Sequence, residues 1–312
     1  FPFLKRVEFS LPDKEGSSQS ELISLISQKA PGLDEIGMDY PYPQDSIWSA
    51  SAAKEALASL RSLTLRNATL EADFRTFLQS TSTRLTTLNL ELPSRRSSDS
   101  WPEGARISLP SVTTLSISDP HGETTNMSQF LEALEVPSLK HLSLSISAHF
   151  RPRVTLWDKS LFEFVKGNSK GLVSLSIADM DSWTSWTSEM DTYLRHLVTL
   201  PALDSLTTLT LTGYSASRLI AMLLEESSSL MLPMLQSLSV RGCNDLSHEM
   251  VLSFLYSRSV TRVGAQEMKG NLRSLDVEFT RSSEMEKARE ALGKNDHQGV
   301  FVRFSVLGGR RS

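Results

Sequence analysis

The chain has 312 residues, with 32 basic and 36 acidic side chains, 39% hydrophobic residues and a single cysteine. Its formal charge of -4 at pH 7 argues against a general nucleic-acid binder, which needs clustered positive charge to neutralise phosphates. The lone Cys243 excludes a disulfide-stapled secreted domain, and neither a membrane-spanning run nor a signal peptide is present, so we expect a soluble intracellular protein, cytoplasmic or nuclear.

One apolar pattern recurs along the chain: an apolar residue, two others, an apolar residue, one other and a third apolar residue. Two weak copies lie in an irregular N-terminal part, residues 1–59: Leu4-Val7-Phe9 and Leu33-Ile36-Met38. Eight clear copies follow in the core, residues 60–280: Leu60-Leu63-Leu65, Leu85-Leu88-Leu90, Val112-Leu115-Ile117, Leu139-Leu142-Leu144, Leu172-Leu175-Ile177, Leu206-Leu209-Leu211, Leu235-Leu238-Val240 and Leu272-Leu275-Val277. The copies start about 30 residues apart on average, at the upper edge of the range of about 20 to 29 for leucine-rich repeats.

Each copy predicts a β-strand, because its last two apolar positions alternate with polar ones, so that apolar side chains point inward and polar ones outward. We predict parallel strands in one continuous sheet, centred on the following residues: Leu63, Leu88, Leu115, Leu142, Leu175, Leu209, Leu238 and Leu275.

The stretches between copies supply the long return path that parallel strands need. Helical apolar spacing predicts return helices in four of them: at Leu70, Phe74, Phe77 and Leu78; at Met190, Tyr193, Leu194 and Leu197; at Leu219, Ile220, Leu223 and Leu224; and at Met250, Val251, Phe254 and Leu255. The predicted fold is therefore an α/β leucine-rich-repeat solenoid over residues 1–312, a horseshoe with its strands on the concave face and its helices and loops on the convex face.

The C-terminal part, residues 281–312, is predicted to be a cap and a tail. Ser283 and Glu286 have the spacing of a capping box at the start of a final helix, and apolar residues then alternate from Val300 to Val306.

Sequence motifs for chemistry are absent. The histidines have neither the spacing of a helical metal pair nor a set of cysteine partners, and there is no nucleophile elbow, phosphate loop or dinucleotide fingerprint. We therefore predict no catalytic residue, no metal and no cofactor, and interpret the chain as a protein that is not an enzyme.

The outward strand positions are the first candidate for partner binding. Most of them carry small hydroxyl residues, which are also the structural default on an exposed strand. Larger side chains give specificity through charge complementarity, and those selected as partner-binding candidates are Arg66, Glu91, His141, Arg241 and Glu278.

The long loops are the second candidate. Residues 92–106, 118–128, 146–158 and 179–188 exceed what a minimal repeat needs, and such insertions often hold partners. Trp183 and Trp186 lie in the last of these among polar neighbours, and tryptophan is enriched among interface anchors. Packing against the following helix is the alternative for this pair.

The segment from Leu235 to Val251, with Gly242-Cys243 after the strand and Ser247 at the start of a helix, resembles the cysteine-containing leucine-rich repeat of F-box proteins. The other copies resemble the irregular repeats of fungal F-box-type proteins but lack the cysteine. The resemblance implies the substrate-recognition arm of a ubiquitin ligase, with Cys243 as a structural thiol. No F-box is visible, so the resemblance places it upstream of Phe1, which indicates part of a longer protein.

On this interpretation a protein partner binds the concave face or the edge loops, the ligase adaptor binds only through an F-box outside the chain, and neither nucleic acid nor membrane is a partner. Two alternatives stay open. A regulator of another enzyme, of the GTPase-activator or ribonuclease-inhibitor type, would have more regular units. A secreted receptor-like domain is disfavoured by the lone cysteine.

Overall fold

A computed structural model describes residues 3–10, 25–26, 29–30, 32–39, 60–66, 75–76, 78–79, 83–92, 106–120, 125–146, 159–168, 171–179, 188–213, 215–225, 231–243, 245–263, 266–269, 271–293 and 300–307. The chain divides into two compact units. The first comprises Phe1–Val154 and Lys159–Lys170, and the second comprises Thr155–Asp158 and Gly171–Ser312. Both are α/β, and their main strands are parallel within each unit.

The strands of the first unit are β1 (Arg6–Ser10), β2 (Glu35–Asp39), β3 (Ser62–Arg66), β4 (Thr87–Glu91), β5 (Ile107–Ser108), β6 (Thr114–Asp119), β7 (Leu134–Glu135) and β8 (His141–Ile146). Six of them pair in parallel in the order β1-β2-β3-β4-β6-β8, and the short β5 and β7 form a separate parallel pair. Helices α1 (Thr125–Ala133) and α2 (Lys159–Asn168) pack against each other.

The strands of the second unit are β9 (Ser174–Asp179), β10 (Thr208–Gly213), β11 (Ser237–Cys243), β12 (Val260–Val263), β13 (Gln266–Lys269), β14 (Ser274–Phe279) and β15 (Phe301–Val306). Five pair in parallel in the order β9-β10-β11-β14-β15, while β12 and β13 form an antiparallel pair. The helices are α3 (Ser188–Val198), a 3-10 turn (Pro201–Leu203), α4 (Ser215–Glu225), α5 (His248–Ser259) and α6 (Ser282–Gly293).

The repeat leucines form the core because they lie side by side in register. Leu88 pairs with Leu63 on one side and with Leu115 on the other, and in the second unit Leu238 lies between Leu209 and Leu275. All are buried. Stacking these residues removes a continuous apolar ridge from water, which no single repeat achieves alone.

Register is fixed where each strand begins. The backbone N–H groups of Thr86 and Thr87 both donate to the carbonyl oxygen of Arg61, at 2.8 and 3.0 Å. In the second unit Thr207 and Thr208 donate in the same way to Val173, at 3.0 and 3.1 Å. In both places one carbonyl of the preceding repeat thus clamps the start of the next strand.

A carboxylate joins the last two helices. Glu284 Oε2 accepts the backbone N–H of His248 at 3.0 Å and lies 2.7 Å from its ring Nδ1, while Lys287 Nζ donates to Oε1 at 3.1 Å. These contacts favour the ionised carboxylate, and the backbone N–H of His248 contributes most to lowering the pKa of Glu284 to about 2. Glu284 on α6 therefore caps the N-terminus of α5.

The eight predicted strand centres are confirmed, as are the return helices at α3, α4 and α5. The final helix begins at Ser282, one residue before the predicted Ser283, and the alternation from Val300 forms β15. Of the first predicted return helix, Leu78 is helical and buried, but Leu70, Phe74 and Phe77 lie outside the described residues. One continuous sheet and one solenoid over 1–312 stay predictions.

Candidate functional site

The candidate site is the outward side of the main strands, which we call the strand face. In the first unit its two main columns are Ser62, Thr64, Thr87, Asn89, Thr114, Ser116, His141 and Ser143. In the second unit they are Ser174, Ser176, Thr208, Thr210, Ser237, Ser239, Ser274 and Asp276. His141 is exposed and the others are partly exposed, so the sequence correctly separated outward from inward positions.

Part of the strand face is ordered by hydrogen bonds between neighbouring strands. Asn89 Nδ2 donates to Thr64 Oγ1 at 3.0 Å in the first unit, and Ser274 Oγ donates to Ser237 Oγ at 2.8 Å in the second. Ser239 Oγ is buried and has no hydrogen-bond partner among the residues that the structure describes. Hydroxyl groups both donate and accept hydrogen bonds, so the strand face can pair with donors and with acceptors.

Arg66 belongs to a group of ion pairs on β1 to β3. Its guanidinium lies 2.8 Å from Glu8 and 3.9 Å from Asp39. Arg6 lies 3.5 Å from both Glu8 and Glu35. We call these five residues the N-terminal charged cluster. Because all are at least partly exposed, each pair stabilises the fold by only about 0 to 1 kcal/mol, which leaves the charges available to a partner.

The absence of a side chain at Gly37 makes this cluster possible. Gly37 lies between Glu8 and Thr64 in strand register, and a Cβ at this position would meet Glu8 Cγ at 3.1 Å. The Glu8 side chain can therefore cross β2 and reach Arg66 on β3. Glu8, Glu35 and Asp39 were missed in the sequence, although acidic residues at outward positions of the two weak copies were a usable signal.

The second unit has a smaller charged group. Arg241 lies 3.2 Å from Asp276 on the next strand, and Arg303 on β15 is exposed and in register with Asp276. Glu278, two residues beyond Asp276, is partly exposed and has no ion-pair partner within the described parts of the chain. Arg241 and Glu278 therefore flank Asp276 rather than pair with each other.

Glu91 and His141, two further predicted residues, are not brought together. Glu91, partly exposed, ends β4, and His141 begins β8, so they lie at opposite ends of their strands. Trp183 and Trp186 lie outside the described residues, as does most of the loop at 179–188, so their predicted role stays a prediction.

Cys243 is a buried thiol, as predicted. The Sγ of Cys243 donates to the carbonyl oxygen of Gly213 at 2.8 Å. Thr280 Oγ1 donates to the carbonyl oxygen of Cys243 at 3.2 Å. Burial raises the pKa of the Cys243 thiol to about 12, against the opposing effect of nearby backbone N–H groups at Ala216 and Ser217. A thiol in this state is not a nucleophile at neutral pH.

Neither a metal site nor a membrane-spanning helix is found in the part of the chain that the structure describes. There, no three His, Cys, Asp or Glu side chains are placed to hold a metal ion. Among those same residues, no helix has both the length and the apolar character needed to cross a membrane. No protein-family model and no curated protein matches the chain.

Proposed function

We propose that the chain is a non-catalytic protein-interaction module, a leucine-rich-repeat horseshoe whose strand face holds a protein partner. The observation that carries the proposal is the composition of that face in each unit: partly exposed small polar side chains with an exposed ion pair beside them, at Arg66 in the first unit and at Arg241 in the second. Small side chains allow a partner backbone to approach and hydrogen-bond. The charged groups then select among partners by complementarity.

The partner class is proposed from the resemblance of the repeat around Cys243 to those of F-box proteins. Gly242 has a φ of +64°, in the left-handed region that favours glycine, and the pairing with β14 shifts register between Val240 and Cys243. Ser247 Oγ then accepts the backbone N–H of Met250 at 3.2 Å and opens α5. This geometry supports the resemblance to F-box repeats. We propose an intracellular substrate-recognition arm of an F-box-type ubiquitin ligase.

The test is affinity capture with the full-length protein from its source cell. A blocking variant, Ser176→Glu with Thr210→Arg, places two large side chains side by side on the strand face, since these positions are in register. It leaves the net charge unchanged. We expect it to lose a substrate that the unmodified protein captures, and to keep a ligase adaptor that binds outside this chain.

The matched control is Ser283→Glu with Ser253→Arg, which puts the same side chains on exposed positions of α6 and α5. It should capture the same substrate as the unmodified protein, with an equal melting temperature. Equal capture by the blocking variant would contradict binding at the strand face. Capture of an enzyme whose activity the chain changes, without any ligase adaptor, would favour the regulator alternative instead.

The tryptophan pair needs a separate variant because Trp183 and Trp186 are not among the residues of the strand face and lie outside the described residues. Trp183→Ala with Trp186→Ala should weaken capture and leave the melting curve nearly unchanged, because truncating an interface anchor removes buried contact area only in the complex. A variant that unfolds instead would show that both tryptophans belong to the core.

A further inference from the structure

A cleft of about 470 Å³ opens in the first unit, away from the residues proposed to form the strand face. Its lining residues come from the end of α1, from β7, from α2 and from Ser108 of β5. Its volume is within the range of about 300 to 1,000 Å³ that is typical of ligand sites.

The floor of the cleft is apolar and its buried polar groups are satisfied. Leu131, Leu134 and Phe164 are exposed by only 2, 3 and 3%. Asn168 is also buried, and it accepts the backbone N–H of Val136 and donates to the carbonyl oxygens of Leu134 and Phe164. The side chains at the base of the cleft are therefore fixed in place, and the buried Asn168 amide has its hydrogen bonds inside the protein rather than to the cleft.

One face of α2 forms a wall of the cleft. Ser160, Glu163, Phe164 and Gly167 all line it, and their spacing of three, four and seven residues places them on the same side of a helix. Gly167 lies at the open part of this wall, because a Cβ added there would meet no atom within 4 Å. A ligand side chain can therefore lie against the helix backbone at this residue.

The rim is acidic. Glu132, Glu135 and Glu163 line the cleft, and among the described lining residues the one cation is Arg106. Arg106 lies 2.6 Å from Glu135, whereas Glu132 accepts a hydrogen bond from the neutral hydroxyl of Ser160 at 2.7 Å. Lys166 approaches Glu163 only to 3.7 Å, with both side chains at least half exposed, so that pair is weak.

Glu132 and Glu163 flank the same groove. Ser160 joins Glu132 on α1 to α2, and Glu163 lies one turn further along α2, on the same helical face. A cation with a hydrocarbon stem, placed between these carboxylates, would lie above the apolar floor. Of the natural side chains arginine fits this description best, since its planar guanidinium binds two carboxylates and its stem covers apolar surface.

We propose that this cleft binds an arginine side chain from a peptide segment of a partner protein. The stem lies on Leu131 and Phe164, and the guanidinium forms ion pairs with Glu132 and Glu163. The site does not depend on the strand face, so a failure of one proposal leaves the other standing.

The probe is the peptide acetyl-Ser-Leu-Arg-Leu-Ser-amide, titrated into the full chain and followed by ligand-observed NMR. A peptide with norleucine in place of arginine keeps the stem and removes the charge. We expect the arginine peptide to bind at least tenfold more tightly than the norleucine peptide. Raising the salt concentration from 0.05 to 0.5 M should weaken binding of the arginine peptide, since salt screens the rim charges.

Two variants test the site itself. Glu132→Gln with Glu163→Gln should weaken binding of the arginine peptide about tenfold, and Gly167→Trp should abolish it by filling the cleft. The matched control, Glu189→Gln with Glu249→Gln, removes two exposed carboxylates from helices of the second unit and should bind the peptide as the unmodified chain does. Circular dichroism confirms that each variant is folded.

Three results would overturn the proposal. They are no saturable binding of the arginine peptide, equal affinity for the norleucine peptide, and an unchanged affinity in the folded Glu132→Gln, Glu163→Gln variant. If Gly167→Trp does not fold, the glutamine variant alone decides.

Discussion

Replacing Leu209 by alanine should produce a large and local loss of stability. Leu209 is 2% exposed and lies in register between Leu175 and Leu238, which are also buried. Deleting three carbon groups at about 0.8 kcal/mol each gives a transfer loss of about 2.4 kcal/mol. The residual cavity adds to this loss, so we expect a total within about 2 to 5 kcal/mol. Leu142→Ala should behave alike in the first unit.

The adjacent Thr210 is the matched control, since it lies on the same strand and points outward. Thr210→Ala should cost about 1 kcal/mol or less, the span of strand propensities on an exposed surface. Ser143→Ala is the same control for Leu142→Ala.

Guanidinium titration compares the midpoints of the variants, and hydrogen exchange locates the loss. Because the chain has two compact units, a single two-state free energy is a poor description, and local exchange is the better measure. Leu209→Ala should speed exchange most in β9, β10 and β11, its own strand and its neighbours. Equal effects of Leu209→Ala and Thr210→Ala would refute the assignment of inward and outward faces.

Further predictions follow from the hydrogen bonds and burial of single side chains. Glu284→Gln should lower the melting temperature at pH 7. The difference from the unmodified chain should vanish as the pH falls from 4.5 to about 2, because the ionised Glu284 stabilises the fold only above its lowered pKa. Cys243 should resist iodoacetamide in the native chain and react after unfolding in denaturant, measured by mass spectrometry, since its thiol is buried with a raised pKa. Asn168→Leu should destabilise α2 by about 1 to 3 kcal/mol for each backbone group left unsatisfied, seen as faster hydrogen exchange there. Gly167→Ala should raise the melting temperature and add up to about 0.5 to 1 kcal/mol of stability, because Gly167 is helical, one residue before the end of α2, and an added Cβ would meet open space.

The strands could be predicted from the sequence because alternation within a strand and recurrence along the chain are both local signals. Each repeat leucine, by being apolar, marks the inward face of its own strand. The same holds for α3 to α5, where the apolar spacing lies within one helix.

The charged cluster and the cleft could not be predicted in this way. Glu8 and Arg66 are 58 residues apart, and only strand register brings them together. The cleft depends on how α1 packs on α2, which places Glu132 near Ser160 across 28 residues. Gly167 contributes to the cleft because the space beside it is open. A sequence pattern does not show where open space lies.

The shared carbonyl at the start of a strand holds that strand in the sheet whatever the length of the repeat before it. The Thr86 hydroxyl and the carbonyl of Arg61 are 25 residues apart along the chain, whereas Thr207 and Val173 are 34 apart, and both contacts have the same geometry. Insertions and deletions between strands therefore leave the frame of the sheet intact. Such a chain can change the segments between its strands while the leucine stack stays the same, so the length and composition of those segments can vary without altering the pairing of the strands.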